Sequence, residues 1–340
     1  MLSRLFAPWR LAAAAALVVV VLIVVGMTQK SNKLLEVPDH AHPLTALVQV
    51  PGGKPHTDGG GIYYVDVLVK RPSLLQEAFS FLRPEGSDLI KESSFVEPGI
   101  TYKQQIDLEQ ETMKLSQEKA SVVALRALGV KVHARDAGVR VVDVEPNSNA
   151  HGVLQDQDVV VSVDGHQVRS PRQLFLVMLR HKVGDVVRLG IERGTQHETF
   201  NIKTIADRQN PKRPIIGFIP FEVLDVQLPF HIRFNIQDVG GPSAGLAFAL
   251  EVLEQRGRDV DHGLKLAATG EIQLDGSITR IGGIKQKTIG ARQSHVDAFL
   301  VPVDGDNAKD AKRYAHGLRI IPVKNFQQAL QALATLRPKA

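Results

Sequence analysis

The sequence predicts an α+β fold in three parts: a membrane-spanning N-terminal helix, a small β-rich unit, and a C-terminal unit mixing helices and strands. Three observations carry this expectation. No charge interrupts the chain between Arg10 and Lys30. Short valine-rich strands with tight turns begin near Gly138, and from Ala298 the pattern runs strand, helix, strand, helix. At 340 residues and 44% hydrophobic content the chain can form two or three compact units. The expected divisions are 1–30, an anchor with a short stub; 31–127, a hairpin and helical connecting region; 128–206; and 207–340.

The first part rests on Leu11 to Met27, every residue of which is apolar or glycine. At about 1.5 Å per residue, the 19 uncharged positions from 11 to 29 reach about 28 Å, close to the hydrocarbon thickness of a bilayer. A run without a polar face has nothing to present to water. Val24 to Thr28 make a poor small-x-small cleavage site, which favours an anchor over a removed signal peptide. Arg4 and Arg10 precede the run, and no acidic residue occurs among the first 35. The expected topology is a single pass through the cell membrane with residues 11–27 in lipid, the N-terminus cytoplasmic and the rest extracytoplasmic.

In the second part, Leu44 to Val50 and Ile62 to Lys70 read as a hairpin across a Gly-rich turn. Helical periods follow at Ser73 to Leu82 and Leu108 to Leu128, with a connecting loop at 83–107. The β-rich unit, 128–206, has strands at Val139 to Val144 and Val159 to Val163, the latter running into Asp164-Gly165, a dipeptide suited to a tight turn. Ser170, Pro171 and Gln173 start a helix as a capping box, and Val186 to Ile191 pairs with Thr199 to Ile205. On these residues alone this part reads as a small β-rich packing domain without a ligand.

Composition excludes several classes of function. The 41 basic and 36 acidic side chains leave a net charge of +5 without a basic stripe, so nucleic acid is not an expected partner. The absence of cysteine excludes disulfides, thiolate metal sites and a cysteine nucleophile. Neither His-Glu-x-x-His nor Gly-x-x-x-x-Gly-Lys-[Ser/Thr] occurs, so no metal, nucleotide or other cofactor is expected.

The chemistry concentrates in Asp238-Val239-Gly240-Gly241-Pro242-Ser243-Ala244-Gly245, between a strand-like run and an apolar helix. A serine at a helix N-terminus among small neighbours admits a substrate backbone, and N–H groups around Gly240 and Gly241 are candidate oxyanion donors. Alone, the stretch also fits a plain turn with Ser243 as cap. The letters Gly-x-Ser-x-Gly further allow a hydrolase elbow, which would enlist His262, His295 or His316. A serine nucleophile needs a base. Ile281-Gly282-Gly283-Ile284-Lys285-Gln286-Lys287 opens a helix on which the two lysines face nearly opposite ways. Lys287, sharing a face with Ile284 and Ala291, is the better candidate for burial, which would lower its pKa with some help from Lys285.

Two resemblances add to this reading. The order of elements over 128–206, with Val141-Val142-Asp143-Val144-Glu145-Pro146-Asn147-Ser148, resembles a PDZ domain of the kind attached to bacterial peptidases. It implies binding of an extended peptide by strand addition, with Gly138, Val139 and Val141 as candidate contacts. Gly241-Pro242-Ser243-Ala244-Gly245, with Thr269-Gly270-Glu271-Ile272 and Gly282-Gly283-Ile284-Lys285-Gln286-Lys287, resembles the Lon proteolytic domain over about 215–337. That resemblance implies a Ser-Lys dyad of Ser243 and Lys287 supported by Thr269, protein or peptide substrates, and assembly as a homo-oligomer, a hexameric ring. Gly240 stands where many Lon enzymes carry an acidic residue, and the missing phosphate loop implies ATP-independent cleavage of unfolded or flexible segments. Taken whole, the chain resembles the membrane-bound, PDZ-containing Lon-like serine proteases.

Overall fold

A computed structural model describes residues 8–54, 59–97, 100–208, 210–237 and 239–337. Arg4 and Asp238 lie outside the described residues. The chain forms two compact units, one of Met1–Ala124 with His231–Ala340 and the other of Leu125–Phe230.

The first unit is built on a six-stranded mixed sheet. Its strand order is Arg319–Val323, Ala298–Pro302, Lys265–Ala268, Gly61–Lys70, Lys33–Pro43, Asp88–Lys91. The first four run parallel, and the last two pairings are antiparallel. Ala298–Pro302 is buried at every position, as expected of an apolar run without alternation inside a parallel sheet. Among the helices packed with it, Gly245–Gln255 is buried along its whole length, and Phe248 meets Phe234 at 5.1 Å between ring centroids. Helix Ile284–Gln293 lies against strand Lys33–Pro43 so closely that a Cβ on Gly290 would sit 1.8 Å from the Asp39 carbonyl oxygen.

Two sequence expectations are corrected here. Gly61–Lys70 pairs with Lys33–Pro43 rather than with 44–50. The chain turns at Leu44, whose N–H donates to the Ile62 oxygen, and Val48–Gln49 pairs instead with Arg233–Phe234. Pro38 and Pro43 disguise Lys33–Pro43 as a loop, and a register shift between Pro38 and Ala41 accommodates the irregularity. Within 83–107, read as a loop, Asp88–Lys91 forms an edge strand and helix Tyr102–Ala127 has already begun.

The second unit is a sheet in the order Phe218–Gln227, His133–Val144, Val159–Val163, Val186–Arg193, Gln196–Lys203, with His166–Gln167 paired to the third. Alternation sorts its residues: Val187, Leu189 and Ile191 point inward to Val139, Val141, Val160 and Val163. Helix Pro171–Met178 starts as expected, with Ser170 accepting the Gln173 N–H, while the Gln173 side chain reaches back to the Arg169 N–H. Strand Phe218–Gln227 was not foreseen. It forms the sheet edge and pairs with His133–Val144 along most of its length.

Helix Pro8–Thr28 is the one helix among the described residues long and apolar enough to cross a membrane, and only 6% of its most hydropathic stretch, Leu11–Thr28, is buried.

Candidate active site

The site is assembled from four segments of the first unit. Ser243 lies in the single 3-10 turn Pro242–Ala244 that runs directly into helix Gly245–Gln255. The turn is entered through Gly241 at φ +84°, a conformation that favours glycine. From one side, helix Tyr102–Ala127 holds the loop: the Glu109 carbonyl oxygen accepts the Gly241 N–H at 2.8 Å, and Ser116 Oγ donates to the Pro242 oxygen at 2.9 Å. From the other side, the Gly270 N–H and Thr269 Oγ1 donate to the Ser243 carbonyl oxygen at 2.7 and 3.1 Å. With its main chain fixed twice over, Ser243 presents its Oγ in a set direction and stays half-buried.

The fourth segment is helix Ile284–Gln293, which carries Lys287. Only 5% of Lys287 is exposed, and its Nζ is hydrogen-bonded to Ser243 Oγ at 2.6 Å. Burial lowers the lysine from its ordinary 10.5 to about 8, while the carboxylates of Asp66 and Glu109 act in the opposite direction. Both carboxyls are themselves pushed up by burial. The amine is therefore partly neutral near physiological pH and can accept a proton.

Lys285 does not share in this effect. Its ammonium pairs with Asp88 at 2.7 Å, where the Gln286 amide holds the second carboxylate oxygen at 2.8 Å. The charges that act on Lys287 are negative, so burial alone supplies the lowering.

The structure thus brings Ser243, Lys287 and Thr269 together. The Gly241 N–H is already engaged by Glu109, and the space a side chain at Gly240 would need is filled, since a Cβ there would meet Glu109 Cβ at 2.6 Å. Gly138, Val139 and Val141 lie in the second unit. Val139 and Val141 are wholly buried in a strand with neighbours on both sides, Val139 facing Glu222 on one and Val160 on the other. Of the sheet's two edge strands, Gln196–Lys203 and Phe218–Gln227, the second is preceded by Ile216-Gly217 and flanked by helix Pro171–Met178 with its exposed Phe175.

Sequence reasoning missed Glu109, Ser116 and Asp66. One signal was available: Glu109 and Ser116 are seven residues apart, hence on one helix face, and that face also carries Met113 and Ala120, both buried. Polar groups on an apolar face call for partners.

Comparison with known proteins follows the same division. Residues 126–204 match the family model of the PDZ domain, and residues 225–335 match that of the Lon protease (S16) C-terminal proteolytic domain. The Lon protease of Mycoplasma pneumoniae is 27% identical over 181 residues, covering 51% of this chain and 22% of that protein. The Lon protease of Mycoplasma genitalium is 29% identical over 153 residues, covering 44% and 19%. The chain therefore spans about a fifth of the length of these relatives. A solved PDZ domain of an SdrC-like protein from Listeria monocytogenes is 32% identical, covers 27% of this chain and 93% of that one, and superposes with a TM-score of 0.24.

Proposed function

We propose, from the premise that one chain carries both a PDZ domain and a Lon-type proteolytic domain, that it is an ATP-independent, membrane-anchored serine endopeptidase. The observation that carries the proposal is the 2.6 Å contact between Ser243 Oγ and a buried Lys287 whose pKa is lowered to about 8. Neutral Lys287 takes the Ser243 proton as Oγ attacks a peptide carbonyl, and the ammonium returns that proton to the leaving amine. An acyl-enzyme remains, which water hydrolyses with Lys287 again as base. Thr269 and the Gly270 N–H act through the Ser243 main chain, keeping the nucleophile aimed. Because the Gly241 N–H is occupied and the N–H groups of Gly245 and Leu246 donate to the Pro242 and Gly270 oxygens, the Gly240 and Ser243 N–H groups are the oxyanion candidates.

The sequence has no phosphate loop, so substrates are chain segments already flexible or unfolded. The PDZ domain selects them by adding a peptide strand to the edge Phe218–Gln227 beside helix Pro171–Met178. Helix Pro8–Thr28 anchors the chain, with the dyad on the extracytoplasmic side and assembly into a homo-oligomeric ring.

The test is labelling by a fluorophosphonate or peptidyl boronate of the natural chain, Ser243→Ala and Lys287→Ala. Labelling confined to the natural chain is the expected result. Equal labelling of Lys287→Ala would remove the lysine from the mechanism, and no labelling of folded natural protein would count against an active dyad.

A further inference from the structure

Helix Pro8–Thr28 ends against a structured platform formed by residues 72–83. The Ser31 N–H donates to the Pro72 oxygen at 2.9 Å and the Leu74 N–H to the Gln29 oxygen at 3.1 Å. Leu75 reaches the long helix itself, where a Cβ on Gly26 would sit 2.8 Å from Leu75 Cγ. Gly26 falls within the apolar stretch Leu11–Thr28. The short helix Leu74–Ala78 therefore stands level with the last turn of a helix fit to cross a membrane.

The platform is rigid. Ser73 and Gln76 close a capping box at its start. Glu77 receives Ser31 Oγ at 2.5 Å and Lys33 Nζ at 2.9 Å. Arg83 donates to the Gln76 and Glu77 carbonyl oxygens at 2.6 and 2.7 Å, which closes the turn that follows. On this turn three large apolar side chains stand exposed together: Phe79 at 47%, Phe81 at 79% and Leu82 at 41%. The two phenyl rings lie 5.7 Å apart. Lys30 pairs with Ser73 across an isolated bridge and Arg83 closes the turn, so both cations belong to the platform, while Lys33 is matched by Glu77.

We propose that the turn Phe79–Leu82 is a membrane foot, inserting its aromatic side chains into the headgroup and upper acyl region of the leaflet that helix Pro8–Thr28 leaves. Bilayer interfaces favour aromatic rings at this depth, and apolar area buried there adds to attraction of cations by anionic lipid. The occupant of the patch is lipid because the patch follows directly on helix Leu74–Ala78, which packs through Leu75 on the last turn of the apolar helix. The foot removes the swivel that a lone helix would leave, and so holds the dyad-bearing unit in one pose over the membrane. This inference rests on the reading of Pro8–Thr28 as a membrane anchor.

The sequence contains one tryptophan, Trp9, inside the long helix, which lets anchor and foot be tested separately. The full chain is reconstituted in vesicles of phosphatidylcholine and phosphatidylglycerol brominated on the acyl chains near the headgroup. Quenching of Trp9 in the natural chain reports the anchor, and quenching of the indole in the Trp9→Phe/Phe81→Trp variant reports the foot. Both are expected to lose emission about twofold or more relative to unbrominated vesicles, with the foot shielded from aqueous acrylamide. Quenching at position 9 without quenching at position 81 overturns the foot and leaves the anchor standing. In that case, shielding from acrylamide would assign the patch to a second protein chain, and free access would assign it to water. Quenching at neither position overturns both readings.

Discussion

The Glu109 carbonyl oxygen accepts the Gly241 N–H at 2.8 Å, so the loop that carries Ser243 hangs from a helix far earlier in the chain. The same residue turns its carboxyl toward that loop, and its charge bears on Lys287. One residue thus links the loop's shape, through its main chain, to the electrostatics of Lys287, through its side chain, and the two roles can be separated experimentally.

With Lys287 at about 8, about a tenth of its amine is neutral at pH 7. The rate of fluorophosphonate labelling is expected to rise with pH about a midpoint near 8, gaining roughly tenfold above its value at pH 7. Negative neighbours hold the ammonium form in place. Asp66→Asn and Glu109→Gln should each move the midpoint to lower pH, and Glu109→Gln leaves the main-chain bond to Gly241 intact. Labelling rates measured against pH decide this; a midpoint that stays or rises would remove the two carboxylates from the site.

The same lysine makes stability depend on pH. Its folded pKa lies below the unfolded one, so the unfolded chain binds more protons between about pH 8 and 10.5 and stability rises through that window. Lys287→Met should abolish activity, stabilise the fold at neutral pH, and lose on the order of 2–3 kcal/mol of that advantage as pH climbs to 10.5. Urea unfolding at several pH values measures the gap. A gap independent of pH would contradict the lowered pKa.

Thr269 is completely buried and donates to the Ser243 carbonyl oxygen. Thr269→Val preserves shape, removes the donor, and leaves the Gly270 N–H as the remaining tie. The expected cost is about 1 kcal/mol of stability and a fall in kcat of about tenfold with KM little changed, since the loss acts through aim rather than binding. Steady-state kinetics on a fluorogenic peptide would show it; an unchanged kcat would make Thr269 a packing residue only.

In the second unit, Phe175→Asp alters an exposed position on the helix beside the open edge. Peptide affinity measured by titration calorimetry should fall about tenfold or more with little change in stability. Val139→Ala, in the core, should cost about 2 kcal/mol of stability while changing affinity far less. The reverse pattern would return the binding contacts to Val139 and its neighbours.

What the sequence made legible follows from range. Ser243 and Lys287 each sit in a short stretch whose glycines, helix start and flanking apolar residues signal a site without reference to the rest of the chain. Asp66 reaches the site from a strand earlier in the chain with no local pattern to mark it, and Glu109 and Ser116 are marked only by lying on the buried apolar face of their helix. Pro38 and Pro43 hid a strand because the usual rule reads proline as a strand breaker, and here a bulge absorbs it. Phe218–Gln227 escaped because its partner, His133–Val144, lies some eighty residues earlier, and pairing of that kind leaves no periodic trace in either segment. The second lysine illustrates the opposite case: spacing on a helix was enough to separate Lys285 from Lys287, whereas the partner Asp88 had to come from the fold.

The unit that carries Ser243 and Lys287 is discontinuous in sequence, made of Met1–Ala124 and His231–Ala340. During synthesis, strand Gly61–Lys70 and the buttress residues Glu109 and Ser116 emerge long before Lys265–Ala268, Ser243 and Lys287 exist to meet them. The early half carries an open sheet edge that waits for a parallel partner about two hundred residues later, a pairing that is slow to close and exposed while it waits. Proteolytic competence therefore comes last in the life of the nascent chain, after the inserted unit has been made.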